Sequence, residues 1–290
     1  MPGAYGAADP LLLLLAALAA EAYLGGLDWG LKGWSWPWRR FAELLRALEQ
    51  RLDRPERGAV TLAWRGALVA ALVLAGALAA GALLGLFTRH YPFAWALELL
   101  LLFGALGLRR SHRRARSVLA ALERDGGAAA REALVRLGAA ELAPQAVEAL
   151  PRQGLAVTAV TLLERRFADG AVAPALWFGL LGLPGLFAWA AVQRACLVLS
   201  GPSVAAARGP VSGAFGRPLA RIQRLLRWPA ARLADLLLAL AGSLRSHRRP
   251  AAPLDALAAA LDRHVLAGLL LGGSLVLLVV ARLLLRGQVA

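Results

Sequence analysis

The sequence predicts an all-α fold: a polytopic integral membrane helical bundle of about four to five spans, with amphipathic cytoplasmic helices and a broken or re-entrant helix. Three observations predict it. Hydrophobic residues make up 59% of the 290-residue chain, and mean hydropathy is +0.59. Several apolar runs approach or exceed the roughly 20 residues that cross a bilayer. Too few segments alternate with period two for an outer-membrane barrel. The formal charge of +15 comes almost wholly from arginine, Lys32 being the only lysine. Arginines beside apolar runs fit a cytoplasmic face near anionic headgroups, and GC-rich coding bias accounts for them equally well. No basic–aromatic stripe or known module is visible, so nucleic acid is not an expected partner. The single cysteine, Cys196, excludes an intrachain disulfide or thiolate cluster.

The elements follow in order. LLLLLAALAA at 11–20 begins a first span over about 10–27. Residues 1–10 carry no Lys or Arg, so the run lacks the positive start of a signal peptide and reads as an uncleaved span. Glu21 lies near its end. Trp29, Trp34, Trp36 and Trp38 suit an interfacial belt. In the region 39–57, Phe41, Leu44, Leu45, Leu48 and Leu52 share one face opposite charges, which predicts an amphipathic surface helix. The second span, about 61–87, carries no charge between Arg65 and Arg89, and its small residues favour close packing. A tight turn leads to the third span, about 93–108, which holds Glu98. The Arg-rich region 109–166 patterns as amphipathic helices with breaks at Gly126-Gly127, Pro144 and Pro151. It shares the cytoplasmic side with residues 28–65. The last span, about 265–285, is closed by Arg282 and Arg286. The whole reads as one membrane domain, 1–290, multi-pass in a bacterial inner membrane.

The stretch 167–200 carries the candidate site. Asp169 and Gly170 stand at the mouth of an apolar run, 171–199, that Gly182, Pro184 and Gly185 interrupt. The basic run that follows, with Arg208, Arg217, Arg221, Arg224 and Arg227 and no acid, would face outside if 171–199 crossed fully. A segment folding back at Leu183-Pro184-Gly185 avoids this; so does a short extra span at 233–244. Asp169-Gly170 reads as a loop at a helix start, flanked by Arg165 and Arg166. Such a loop offers backbone N–H groups and cations to an anion, and a carboxylate to a metal or an amine. No zinc spacing, phosphate loop or nucleophile elbow is present. A broken helix also suits a transporter's midplane site, for which no inverted repeat is visible.

The run Asp169-Gly170-Ala171-Val172-Ala173-Pro174-Ala175-Leu176-Trp177 resembles the Asp-Gly-x-x-Ala-Pro-x-x-Trp signature of the CobD/CbiB family. Phe215-Gly216, Ala220-Arg221 and Ala231-Arg232-Leu233 are similar to the family's Phe-Gly, Ala-Arg and Ala-Arg-Leu run, and Leu48-Glu49 with Leu52 resembles the end of its N-terminal motif. The chain departs at polar positions. Arg165 and Arg166 stand where the family carries Glu-Asn, and Gln223, Arg224 and Arg227 replace its Asp-Asp-x-x-Asn.

The resemblance implies an enzyme of cobalamin biosynthesis, adenosylcobinamide-phosphate synthase. That enzyme is an amide-forming ligase that joins an aminopropanol (phosphate) group to adenosylcobyric acid, with ATP and Mg. It implies a corrinoid substrate, and a homo-oligomer or other corrinoid-pathway membrane proteins as partners. On this reading Asp169 is the catalytic or Mg-binding residue, and Arg165, Arg166, Gly170, Arg221 and Arg232 bind substrate. The alternative is a non-catalytic, AmpE-like inner-membrane signalling or accessory protein on the same scaffold.

Overall fold

The computed structural model describes residues 9–25, 35–53, 58–91, 93–124, 126–138, 147–200, 213–244 and 252–287. They form helices α1 (Pro10–Leu24), α2 (Ser35–Leu52), α3 (Ala59–His90), α4 (Trp95–Ala105), α5 (Leu108–Glu123), α6 (Gly127–Gly138) and α7 (Arg152–Phe167). A π-turn (Ala168–Val172) continues α7 into α8 (Ala173–Leu181). Then come α9 (Leu183–Ser200), α10 (Gly213–Leu244) and α11 (Pro253–Gly287). The described residues contain no strand. Trp29, Trp34, Pro144, Arg208 and residues 54–57 lie outside the described residues.

Among the described residues two helices, α3 and α11, are long and apolar enough to cross a membrane. Only 17% and 11% of their apolar windows are buried. The core helix of a soluble protein would bury such a window, whereas these helices expose Leu68, Leu72, Leu83, Leu269 and Leu277. A continuous apolar surface of this kind suits lipid. The expected crossing at 93–108 has a different form. There α4 is 11 residues long, about 16 Å, or roughly half the hydrocarbon thickness. It packs on α1 and gives way at Gly107 to polar α5.

The segment 171–199 is broken, and it folds back one residue before the expected point. Gly182 takes φ 66°, a left-handed conformation that glycine adopts without a Cβ penalty. α9 then runs back against α8. A Cβ on Gly185 would lie 2.2 Å from the Trp177 carbonyl oxygen, so only glycine permits this approach. From Gly213 the expected basic loop is instead part of α10, whose 32 residues include Pro218 and Pro229. On α2, Leu45 is buried and Phe41 and Leu52 pack on the core, but Leu44 is exposed.

Burial creates three apolar clusters. One joins α1, α4, the π-turn, α8, α9, α10 and α11. A second joins α2 and α3 to α9 and α10. The third, built from α5, α6, α7 and the start of α11, belongs to the polar end. α1 is capped at Pro10 by the Asp9 carboxylate, which accepts from Leu11 N–H and pairs with Arg282 of α11 at 3.1 Å. At its other end, buried Glu21 accepts the Arg109 N–H at 2.8 Å and so caps α5. Arg109 returns the contact, donating from its guanidinium to the Ala22 and Tyr23 carbonyls.

Close packing on α3 yields a stability prediction. A Cβ on Gly66 would sit 1.9 Å from the Phe215 carbonyl oxygen, whereas nothing lies within 4 Å of one on Gly76. Gly66→Ala should cost about 1–3 kcal/mol by forcing α3 from α10. Gly76→Ala should gain up to about 1 kcal/mol from helix propensity. Thermal unfolding of the purified protein reads both, with opposite signs.

A second prediction concerns pH. His112 of α5 stacks on His264 of α11, ring centroids 6.1 Å apart. Burial, and then nearby Arg116, hold the His112 pKa below its usual 6.5, against the opposing pull of Asp262. The unfolded chain therefore takes up this proton at higher pH than the fold does. Stability falls as pH drops through about 6.5. His112→Gln should lessen that acid-side loss, without abolishing it while buried His264 remains, in melting curves taken between neutral and mildly acidic pH.

Candidate functional site

Proline at 174 dictates the local backbone. It has no N–H, and its ring crowds the carbonyl four residues back. In α register that carbonyl belongs to Gly170; in π register, five back, to Asp169. The chain adopts the wider turn, with Ala173 N–H donating to the Ala168 carbonyl. The Asp169 and Gly170 carbonyls then find partners on other helices. Trp189 Nε1 donates to Asp169 O at 3.3 Å, and Gly107 N–H donates to Gly170 O at 2.8 Å. Asp169-Gly170 is therefore a π-turn within one continuous helix. The expected loop at a helix start, with its free N–H groups, is absent because α7 supplies those groups with helical partners. π-turns recur at functional sites because they redirect side chains and free carbonyls.

The side chain of Asp169 is 6% exposed. Its Oδ1 lies 2.8 Å from Arg227 Nε, and its Oδ2 lies 3.8 Å from Arg165 Nε. The Arg227 Nε–H is not aimed along the contact, so this is a charge pair rather than an aligned hydrogen bond. Trp177 Nε1 donates to the Leu226 carbonyl at 3.1 Å, which anchors α10 one residue before Arg227. That carbonyl lies beside Pro229, where the α10 ladder is interrupted. Gly107 in turn is held by α5, whose first turn is pinned by Glu21 and by His264, Nε2 of which lies 3.2 Å from Leu108 O. Glu164 pairs with Arg263 at 3.6 Å nearby. Burial pushes its carboxyl above the usual value, with Arg263 opposing.

Of the sequence-predicted residues, Asp169, Arg165, Arg166 and Gly170 come together on one turn. Arg166 is half-buried and Arg165 exposed. Gly170 contributes its carbonyl. Arg221 and Arg232 are not brought to Asp169: both are exposed on the outer face of α10. Sequence reasoning marked Arg227 as the end of a basic run and as a departure from the family pattern, not as the partner of Asp169, and passed over Trp189 and Gly107. A signal for Arg227 existed. It shares the three- and four-residue spacing of the buried stripe Ala230, Ala234, Leu237 and Ala241, where a charge requires a partner.

A resident magnesium ion does not fit this donor set. Mg2+ takes carboxylate and phosphate oxygens, and the Asp169 carboxylate already faces two guanidinium groups. Among the described residues no group of three His, Cys, Asp or Glu could hold a metal ion. What the arrangement offers is an excess of cations, which suits oxyanions.

Comparison with known proteins agrees with the signature. Residues 14–275 match the family described as CobD/Cbib protein. The chain belongs to the CobD/CbiB family. A cobalamin biosynthesis protein CobD of Rhizobium meliloti (strain 1021) is 31% identical over 239 residues, 82% of this chain and 70% of that protein. One from Sinorhizobium sp is 31% identical over 255 residues, covering 88% and 75%. One from Sinorhizobium fredii (strain NBRC 101917 / NGR234) is 28% identical over 229 residues, covering 79% and 67%. No solved structure matches.

The pairing predicts energetic coupling. Arg227→Ala should cost about 1–3 kcal/mol, because it removes the guanidinium 2.8 Å from a buried carboxylate. In Asp169→Ala/Arg227→Ala part of that loss should return, with a coupling of about 1–2 kcal/mol in a double-mutant cycle read by denaturation.

Proposed function

We propose that this CobD/CbiB family member is a membrane-bound cobalamin-biosynthesis protein acting as adenosylcobinamide-phosphate synthase. In that reaction an aminopropanol (phosphate) amine forms an amide with a carboxyl group of adenosylcobyric acid. The family match over 14–275 and relatives named for cobalamin biosynthesis support the pathway. One observation supports the site: a buried carboxylate ringed by guanidinium groups on a turn that Pro174 holds open.

The reaction needs a phosphate-binding surface and a group to orient an amine. Arg165, Arg166 and Arg227 suit phosphate oxygens, since guanidinium offers paired donors in a plane. Asp169 suits the ammonium form of the amine and can accept its proton as the C–N bond forms. Arg227 holds the Asp169 carboxylate in place until substrate arrives. A phosphate drawing Arg227 away would release a carboxylate oxygen for the amine. ATP would supply the phosphoryl group that turns the departing carboxyl oxygen into phosphate as the C–N bond forms. The apolar side faces the bilayer through α3 and α11, consistent with a bacterial inner-membrane protein.

A second reading is a non-catalytic accessory or signalling protein, of AmpE type, on the same scaffold. The observation favouring it is Arg227 itself, which stands where the family carries Asn and neutralises Asp169 at 2.8 Å.

Complementation separates the two. A strain lacking its own synthase should grow on cobyric acid when given this chain. Asp169→Asn should lower activity by a factor on the order of a hundred or more, as loss of an acid–base group does, with membrane levels unchanged. A wild-type protein that accumulates in the membrane yet does not rescue would leave the accessory reading.

A further inference from the structure

Helix α10 brings together a feature that is scattered in the linear sequence. Arg217, Arg221, Arg224, Trp228 and Arg232 recur at spacings of three and four residues, so they form one stripe. All five are exposed, and Trp228 is 65% exposed. The stripe runs about 22 Å along the helix. It lies opposite the buried stripe of Leu219, Ala230, Ala234, Leu237 and Ala241, so it points away from the bundle. Beside it runs an exposed apolar edge of Leu225, Leu236 and Leu240. The acid Asp235 stands at its C-terminal end.

We infer that this face is a docking surface for the anionic phospholipid headgroups of the membrane in which the protein sits. Three faces of one helix define the geometry. The buried stripe holds the bundle, the leucine edge meets acyl chains, and the arginines reach phosphates. Trp228, in the centre of the cationic stripe, has the amphipathic ring that favours the headgroup level. Charge complementarity selects the partner: four guanidinium groups in a row match a surface of repeated phosphates. The same placement assigns Arg221 and Arg232 to lipid phosphate instead of substrate. The inference rests on the reading that α3 and α11 cross a bilayer.

The test uses the full-length protein. Flotation with phosphatidylcholine vesicles first reports insertion. Native mass spectrometry of the detergent-purified protein then counts bound phosphatidylglycerol against phosphatidylcholine. The wild type should retain phosphatidylglycerol preferentially, and less of it as salt rises. Each arginine near an anionic surface contributes a factor on the order of fivefold. R217Q/R221Q/R224Q/R232Q should therefore lose the preference by at least about tenfold. R113Q/R114Q/R116Q/R136Q, which removes equal charge from α5 and α6, should keep it. Flotation without any phosphatidylglycerol preference, or equal loss in both variants, overturns the lipid surface and leaves the membrane reading intact. Failure to float overturns both. Stripe-dependent retention of an acidic protein or nucleic acid in place of lipid also overturns it.

Discussion

Pro174 has no N–H to give, and its ring crowds the carbonyl one turn back, so the helix through 168–172 cannot keep its α ladder. The wider π-turn answers this constraint, and the neighbouring helices are arranged around it. Two carbonyls are left without helical donors, and carbonyls within a packed bundle require partners. Trp189 and Gly107 supply them, so α9 and the start of α5 are fixed against the same turn. Trp177, on the next turn, fixes α10 through the Leu226 carbonyl. Aspartate, glycine, proline and tryptophan of the signature thus each have a separate physical task. Asp169 provides charge, Gly170 a carbonyl, Pro174 the interruption, and Trp177 the bond that brings Arg227 into range.

The same turn decides the electrostatics. A carboxylate as buried as Asp169 is costly unless a cation or several donors face it. Arg227 meets that need from another helix and Arg165 from the same one. The consequence for chemistry is specific. A carboxylate already neutralised by arginine is a weak metal ligand and a good anchor, and the surplus of cations favours anions over cations. The arginines that mark departures from the family pattern are therefore not scattered drift at this point. Arg165 and Arg227 converge on one oxygen pair, which links substitutions at distant positions in the chain.

Much of the architecture was legible in the sequence, for reasons that can be traced. Apolar length marked α3 and α11, amphipathic spacing marked α2, and the glycines near 182 marked the fold-back of α8 and α9. The length of α4 was not legible, because nothing in its apolar composition says where an apolar helix stops. The turn at Phe93, which takes φ 72°, and the break at Gly107 set its ends. The basic run before 227 looked like a loop because its prolines and charges outweighed its periodicity. Packing of Ala230, Ala234 and Leu237 against neighbouring helices makes it α10. At the site, Asp169 and its neighbours could be named, since a motif is local. Arg227, Trp189 and Gly107 could not, since their roles come from contacts between segments 20 to 63 residues away, and only the fold brings those together.

The level of the site within the molecule bears on what it can do. α7 with α8, and α11, each change from a polar to an apolar half. In α11 the change comes at Arg263 and His264; in the other it comes at Arg165, Arg166 and Asp169. These positions are level, because His264 packs on Phe167 with ring centroids 5.3 Å apart and Glu164 pairs with Arg263. The charges therefore form a collar where the apolar bundle meets the polar helices. A transporter's central site sits near the bilayer midplane, reached alternately from both sides. A site at the collar instead has polar helices on one side of it and apolar surface on the other. That position sets Asp169 and its arginines at a polar–apolar boundary, which is not where a midplane transport site would lie.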